Sequence, residues 1–81
     1  MSDSDFAAFR PIRTQARRLI TLGVKAGRPW NEATTVGAIA KAAKTTPEEV
    51  VRLLNDCAYL MGAVEVPGVP IAEWPVYEDG M

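Results

Sequence analysis

The sequence predicts a mainly α fold with a C-terminal β-hairpin, an α+β class with three helices followed by two strands. Three stretches before residue 62 repeat apolar residues at spacings of three and four, which is typical of helices with one buried side. The segment Thr46-Pro47-Glu48-Glu49 has the signature of a helix start. After Gly62 the apolar spacing changes to two, which indicates strands.

Length and composition are those of one globular domain. A chain of 81 residues supports a single domain, and 48% hydrophobic with 23% charged residues is an ordinary globular composition. No apolar run reaches the roughly 18 residues that a membrane span needs. The acidic N-terminus does not resemble a signal peptide, and a single cysteine favours a reducing compartment. We therefore expect a cytoplasmic protein without a membrane partner.

Residues 1–10 are expected to form a polar tail or a short helical turn, and the first main helix is predicted from Pro11 to Ala26. Pro11 should kink or restart the helix because it lacks an amide N–H. Gly27 and Pro29 end it. Its apolar side carries Ile12, Ala16, Leu19, Leu22, Gly23 and Ala26. Its other side is largely basic and carries Arg10, Arg13, Thr14, Arg17, Arg18, Thr21 and Lys25.

The basic side of the first helix has two interpretations. It is either a solvated surface or a contact for phosphates or an acidic partner. The distribution of charge favours the second more than usual, because residues 1–30 carry six Lys or Arg against two acids. Residues 31–81 carry three Lys or Arg against eight acids, so the two parts of the chain have opposite charge.

Trp30 lies in an extended connector, where we expect it to fill the core between helices. The second helix should begin near Thr34 or Thr35, either of which can cap it, and its small residues allow another helix to approach closely. Only residues 44–46 separate it from the third helix. A link this short joins two helices at a steep angle.

The third helix is predicted over residues 46–61. Thr46 and Glu49 should exchange two capping hydrogen bonds, and Gly62 is expected as the C-cap. The buried side carries Val50, Leu53, Leu54, Cys57, Ala58 and Met61. The outward side carries Glu48, Glu49, Arg52, Asn55, Asp56 and Tyr59.

The hairpin is predicted from two alternating segments. Residues 63–66 form the first strand, residues 67–70 form a turn rich in proline, and residues 71–77 form the second strand. Pro75 cannot donate to a neighbouring strand, so the second strand should lie at an edge. The domain is thus expected over residues 11–77, followed by an acidic tail at 78–81.

The residues offer no catalytic or metal-binding pattern. The chain has no histidine and no glycine-rich phosphate loop, and Cys57 lies on the apolar side of a helix as a small core residue. One cysteine and scattered carboxylates do not make a metal site. We expect no enzyme activity and no cofactor.

The order of these elements resembles that of small bacterial and phage winged helix-turn-helix proteins. An apolar-Ala pair, a Thr cap, a Val-x-Arg helix and a closing Gly-apolar-apolar segment follow one another as they do in that family. The residues that carry the resemblance are Ile39, Ala40, Thr46, Val50, Arg52, Leu53, Leu54, Leu60, Gly62, Ala63 and Val64. The resemblance covers residues 11–77 and implies the fold more strongly than the function.

The resemblance implies a transcriptional regulator whose third helix enters the major groove of double-stranded DNA. The residues that would face the groove are Thr45, Thr46, Glu48, Glu49, Arg52 and Asn55. Arg52 would read guanine and Asn55 adenine, while Lys41 and Lys44 would contact phosphates. The basic side of the first helix adds Arg13 and Arg17 as further phosphate contacts.

Three differences from the family favour a second hypothesis, a winged helix used as a protein-protein adaptor. Lys44 stands where the family has a turn glycine, so it must adopt a left-handed or otherwise strained conformation. Acids outnumber Arg52 on the third helix, and the wing tip at 66–70 has no cation. The adaptor would bind a basic or apolar partner through Glu48, Glu49, Asp56, Tyr59 and the uncharged wing.

A homodimer is a further expectation, because a small DNA-binding module gains affinity from two half-sites. The aromatic residues at the two ends of the chain could form its interface: Phe6, Phe9, Trp74 and Tyr77. The same residues could equally close the core of a monomer.

Overall fold

The structure is a computed structural model, and it describes residues 3–79. The helices are α1 (Asp3–Lys25), α2 (Val36–Ala43) and α3 (Pro47–Cys57). The strands are β1 (Thr34–Thr35), β2 (Met61–Ala63) and β3 (Pro75–Glu78), and one turn of 3₁₀ helix covers Ile71–Glu73. The predicted α+β class with three helices is confirmed. The sheet, however, has three strands instead of the predicted two.

The prediction that the first helix starts at Pro11 was wrong, because α1 begins at Asp3 and Pro11 lies inside it. Phe9, Ile12, Ala16 and Ile20 form one continuous buried stripe that runs past the proline. Burial of a large apolar side chain contributes about 1.5–3 kcal/mol, so Phe9 and Ile12 together outweigh the roughly 3 kcal/mol cost of an internal proline. Residues 1–2 of the predicted tail lie outside the described residues.

The buried stripe of α1 is also rotated from the predicted one. Ile20 is fully buried, whereas Leu22 and Ala26 face solvent. Gly27 ends the helix as predicted: it has a φ of 96°, and the N–H of Arg28 donates to the carbonyl of Gly23 at 3.0 Å.

Two predicted features of the α2–α3 connection are confirmed. Lys44 takes the left-handed conformation, with φ 59° and ψ 47°, at the end of α2. The Thr46 hydroxyl accepts a hydrogen bond from the backbone N–H of Glu49 at 3.2 Å. The second half of the predicted capping box does not form, because the hydrogen bonds found for the Glu49 carboxylate go to Arg52.

The third helix is shorter than predicted, since α3 ends at Cys57 and Ala58 is its C-cap. Leu60 then turns the chain with a φ of 64°, and Gly62 lies in β2 instead of capping the helix. Met61 explains the change, because it is buried as a strand residue paired with Glu78. Pairing with β3 therefore prevails over another turn of helix.

The strand β3 lies in the centre of the sheet, between β1 and β2. The prediction that Pro75 would force an edge strand was wrong. Pro75 is the first residue of β3, where its missing N–H disturbs no ladder, and its carbonyl accepts from the N–H of Val64 at 2.9 Å. The predicted bounds of both strands were wrong: the first strand is Met61–Ala63 instead of 63–66, and the predicted strand at 71–77 is the 3₁₀ turn Ile71–Glu73 followed by Pro75–Glu78.

The core lies between the three helices and the inner side of β3. It consists of Phe9, Ile12, Ala16, Ile20, Ala33, Val36, Ile39, Ala40, Val50, Leu53, Leu54, Met61 and Val76. Trp30 does not fill it as predicted. Its side chain is 47% exposed and meets Tyr77 edge to face, with ring centroids 6.1 Å apart. Trp74 is half-buried against the core and donates to the Val69 carbonyl at 3.0 Å.

Gly23 lets the connector cross α1 at very short distance. A Cβ at this position would lie 2.2 Å from the carbonyl oxygen of Ala33 and 2.8 Å from its Cβ. Such contacts require the two backbones to move apart. The glycine is therefore needed for the packing of α1 against the residues that lead into β1.

We expect Gly23→Ala to lower the free energy of unfolding by about 2–3 kcal/mol, as overpacked cores do. At an unobstructed helix position the same substitution would raise the free energy of unfolding by about 1 kcal/mol. The sign of the measured change therefore distinguishes a close approach from an open position. Urea denaturation measures the effect, with Val24→Ala on the exposed side as the control. A Gly23→Ala protein at least as stable as the parent would contradict the close approach.

Candidate functional site

The outward side of α3 holds most of the residues predicted to contact DNA. Val50, Leu53 and Leu54 are buried, so the opposite side of the helix faces solvent. Exposed there are Thr46, Glu48, Arg52, Asn55 and Asp56, with Thr45 and Glu49 half-buried. Lys41 and Lys44 are exposed at the end of α2. The structure therefore groups these residues at one end of the helix pair and along α3.

Arg52 is surrounded by carboxylates. Its guanidinium bonds the Glu49 carboxylate, lies 3.3 Å from an oxygen of Asp5 and lies 3.8 Å from an oxygen of Asp56. The hydrogen bonds that Arg52 donates to the carboxylates of Glu49 and Asp5 raise its pKa above the usual value. The cation is therefore always charged, yet three acids more than neutralise it.

The ion pairs of Arg52 alone are too weak to prevent its guanidinium from contacting a DNA base. Exposed pairs contribute about 0–1 kcal/mol each and break readily. The excess of acid is the stronger obstacle, because Glu48, Glu49 and Asp56 would remain close to phosphates after Arg52 had moved. The sequence could not show that Asp5 joins this group, since it lies 47 residues away from Arg52.

Of Arg10, Arg13 and Arg17 on the basic side of α1, only Arg17 has an ion-pair partner among the described residues. The Nε of Arg17 donates to both oxygens of Glu78, at 2.9 and 3.2 Å, and Glu78 is only 8% exposed. Within the described part of the chain, no carboxylate lies within ion-pair distance of Arg10 or Arg13. Both are exposed to solvent.

Glu78 is thus a structural residue and not part of a frayed acidic tail. It belongs to β3, pairs with Met61 across the sheet and fixes Arg17 above it. Residues 80 and 81 of the predicted tail lie outside the described residues.

A groove of about 380 Å³, lined by apolar side chains and by these arginines, lies between α1 and the turn after α3. We call it the α1 groove. Its lining residues are Phe6, Phe9, Arg10, Arg13, Arg17, Cys57, Ala58, Tyr59, Leu60, Met61, Glu78 and Asp79. Tyr59 is 86% exposed, Phe6 54% and Leu60 48%, so the groove presents large apolar side chains to solvent.

The sequence predicted some of the residues that line this groove. It placed Tyr59 on an outward surface and Arg13 and Arg17 on the basic side of α1. It did not join them, because the groove requires α1 to extend back past Pro11 and α3 to stop at Cys57. One signal in the sequence could have indicated the groove. Tyr59 and Leu60 are neighbouring apolar residues that directly follow α3 if this helix ends at Cys57.

No metal-binding arrangement is found among residues 3–79, where no three His, Cys, Asp or Glu side chains come together suitably. None of the helices in this part of the chain is both long and apolar enough to cross a membrane. Cys57 is half-buried and packs against the core.

The architecture defines a small α+β domain of three helices and a three-stranded antiparallel sheet, compatible with a winged helix fold. Comparison of the chain with protein-family models, curated proteins and solved structures finds no match.

The pairing of Arg17 with Glu78 predicts unequal roles for two arginines one turn apart. Arg17→Met leaves the nearly buried Glu78 carboxylate without its partner, so we expect a loss of about 1–2 kcal/mol in the free energy of unfolding. Arg13→Met should change stability by less than about 0.5 kcal/mol. Urea denaturation of the two variants, and of Arg17→Met combined with Glu78→Gln, measures the coupling. Equal losses for Arg13 and Arg17 would contradict it.

Proposed function

We propose that the chain is a winged-helix protein that acts as a protein-protein interaction module and docks a segment of a partner protein in the α1 groove. The order of helix, strand, two helices and two strands supports the winged-helix assignment. The observation that carries the function is the open apolar groove itself.

The apolar residues of the groove are exposed together, which supports a docking site over the chance exposure of single side chains. Isolated apolar side chains are common on protein surfaces, but contiguous patches mark binding sites. Phe6, Tyr59 and Leu60 come from two separate parts of the chain and line the same groove. Tyrosine and phenylalanine are also enriched where protein partners meet, because they supply large apolar area at small entropic cost.

The charges of the winged-helix surfaces weaken the alternative use of α3 on DNA. Binding to DNA draws much of its free energy from cations that displace counterions from phosphates. The outward side of α3 has one cation, Arg52, among three acids that contact or flank it. The loop from Val64 to Pro70 between β2 and β3 carries Glu65 and no Lys or Arg.

The DNA-binding regulator remains our second candidate, because one observation favours it. The α2–α3 connection has the tight turn and the capped second helix of a helix-turn-helix, with Lys41 and Lys44 exposed beside the start of α3. On this candidate Arg52 and Asn55 read bases, and Lys41, Lys44, Arg13 and Arg17 contact phosphates.

Two binding measurements on the same protein separate the candidates. We expect peptides selected from a random displayed library to bind the parent protein and to bind Tyr59→Ala about tenfold more weakly. The lost tyrosine removes apolar contact area from the groove wall. Val24→Ala, which truncates an exposed apolar residue outside the groove lining, is the matched control and should bind like the parent.

The second measurement is fluorescence anisotropy of a mixed-sequence DNA duplex at low and at near-physiological salt. We expect no saturable binding at the higher salt. Steep salt-dependent binding that is lost in Arg52→Ala and in Lys44→Ala, together with peptide binding that ignores Tyr59, would overturn the adaptor and favour the regulator.

A further inference from the structure

The α1 groove is apolar along one wall and basic along the other. The apolar wall includes Phe6, Tyr59 and Leu60, and the basic wall is formed by Arg10, Arg13 and Arg17 of α1. A ligand that fits only the apolar wall would leave two unpaired guanidinium groups at its side. Negative charge on the occupant would complement these two exposed groups.

We propose that the α1 groove binds an acidic segment of a partner protein, with an apolar side chain in the groove and carboxylates on Arg10 and Arg13. This inference rests on the proposed function and gives its partner a chemical class. It differs from the expectation for α3, whose acidic outward side was predicted to meet a basic or apolar partner.

The three arginines do not contribute equally. Arg17 is already held by Glu78, which is nearly buried, so its charge is compensated inside the molecule. Arg10 and Arg13 have no such partner among the described residues, and each offers a planar guanidinium that matches a carboxylate. These two residues therefore supply the free positive charge of the groove.

The spacing of the two free arginines limits the occupant further. Residues three apart on a helix lie on the same side, separated by about 4.5 Å along its axis. Two acidic residues that are close together in an extended or helical segment could meet both at once. Arg10, Arg13, Thr14 and Arg17 surround a shallow depression on this side of α1, which is open to such carboxylates.

Asp79 sets the direction of the bound segment. It lines the groove and its backbone N–H donates to the carbonyl of Leu60 at 2.6 Å, so it is fixed beside the turn after α3. A carboxylate of the partner is repelled there and attracted toward Arg10 and Arg13. The apolar anchor of the partner is then expected beside Tyr59 and Leu60.

The test uses the full chain and a random displayed peptide library. We expect the enriched peptides to carry Asp or Glu next to a large apolar residue. Their affinity for the double variant Arg10→Glu with Arg13→Glu should fall about tenfold, which is 1.4 kcal/mol. A peptide in which the acids are replaced by lysines should bind that variant better than it binds the parent.

The matched control is Lys25→Glu with Arg28→Glu, which changes the net charge by the same amount in exposed residues outside the groove lining. This control should bind the acidic peptides within about twofold of the parent, since exposed charges beyond a Debye length of about 8–10 Å are screened. Equal losses of peptide affinity in both double variants would show that the effect comes from the net charge of the protein. This result would overturn the assignment of Arg10 and Arg13.

The remaining outcomes each contradict a different statement. Enriched peptides that are neutral or basic, yet sensitive to Tyr59→Ala, overturn the acidic partner and leave the docking function standing. Absence of any enriched peptide sensitive to Tyr59→Ala overturns both. Sedimentation equilibrium that shows a dimer weakened by Tyr59→Ala assigns the groove to a second copy, and salt-dependent duplex binding lost in the Arg10 and Arg13 variant assigns these residues to phosphates.

Discussion

Burial of one side of α1 is the constraint on which the rest of the structure depends. The stripe from Phe9 to Ile20 packs against α2, α3 and the sheet, so it fixes how the longest element of the chain lies over all the others. Because this side is used for the core, the arginines between its members must face outward. The same burial holds the part of α1 from Phe6 to Arg17 beside the end of α3, where it lines the groove.

The central position of β3 is the second condition for that groove. Val76 enters the core from β3, and Glu78 at the end of the strand is held under Arg17. Pairing of β2 with this strand stops α3 at Cys57 and leads the chain through the exposed residues Tyr59 and Leu60. The exposed Tyr59 and Leu60 of the apolar wall are therefore a consequence of sheet pairing, whereas Phe6 and the basic wall are a consequence of helix packing.

Local signals predicted local structure well. The Thr46 cap, the left-handed Lys44 and the buried side of α3 depend on residues within one or two turns, and all three are observed. The errors arose where distant contacts decide. Burial of Phe9 keeps α1 helical on both sides of Pro11, and strand pairing of Met61 shortens α3. For the same reason the outward side of α3 was predictable from its periodicity, whereas the contact of Asp5 with Arg52 and the whole α1 groove were not.

The two charged surfaces of this molecule differ in what they allow. Around α3 the acids exceed Arg52, so an anion that approaches there meets repulsion, while Arg10 and Arg13 attract one at the groove. Carboxylates of a protein segment and phosphates of a nucleic acid would compete for these same two guanidinium groups. What distinguishes the two ligands is the apolar wall of Phe6, Tyr59 and Leu60, which rewards a ligand that can bury an apolar side chain. The phosphate backbone of a duplex has none to offer, and this is the physical reason to favour a protein segment.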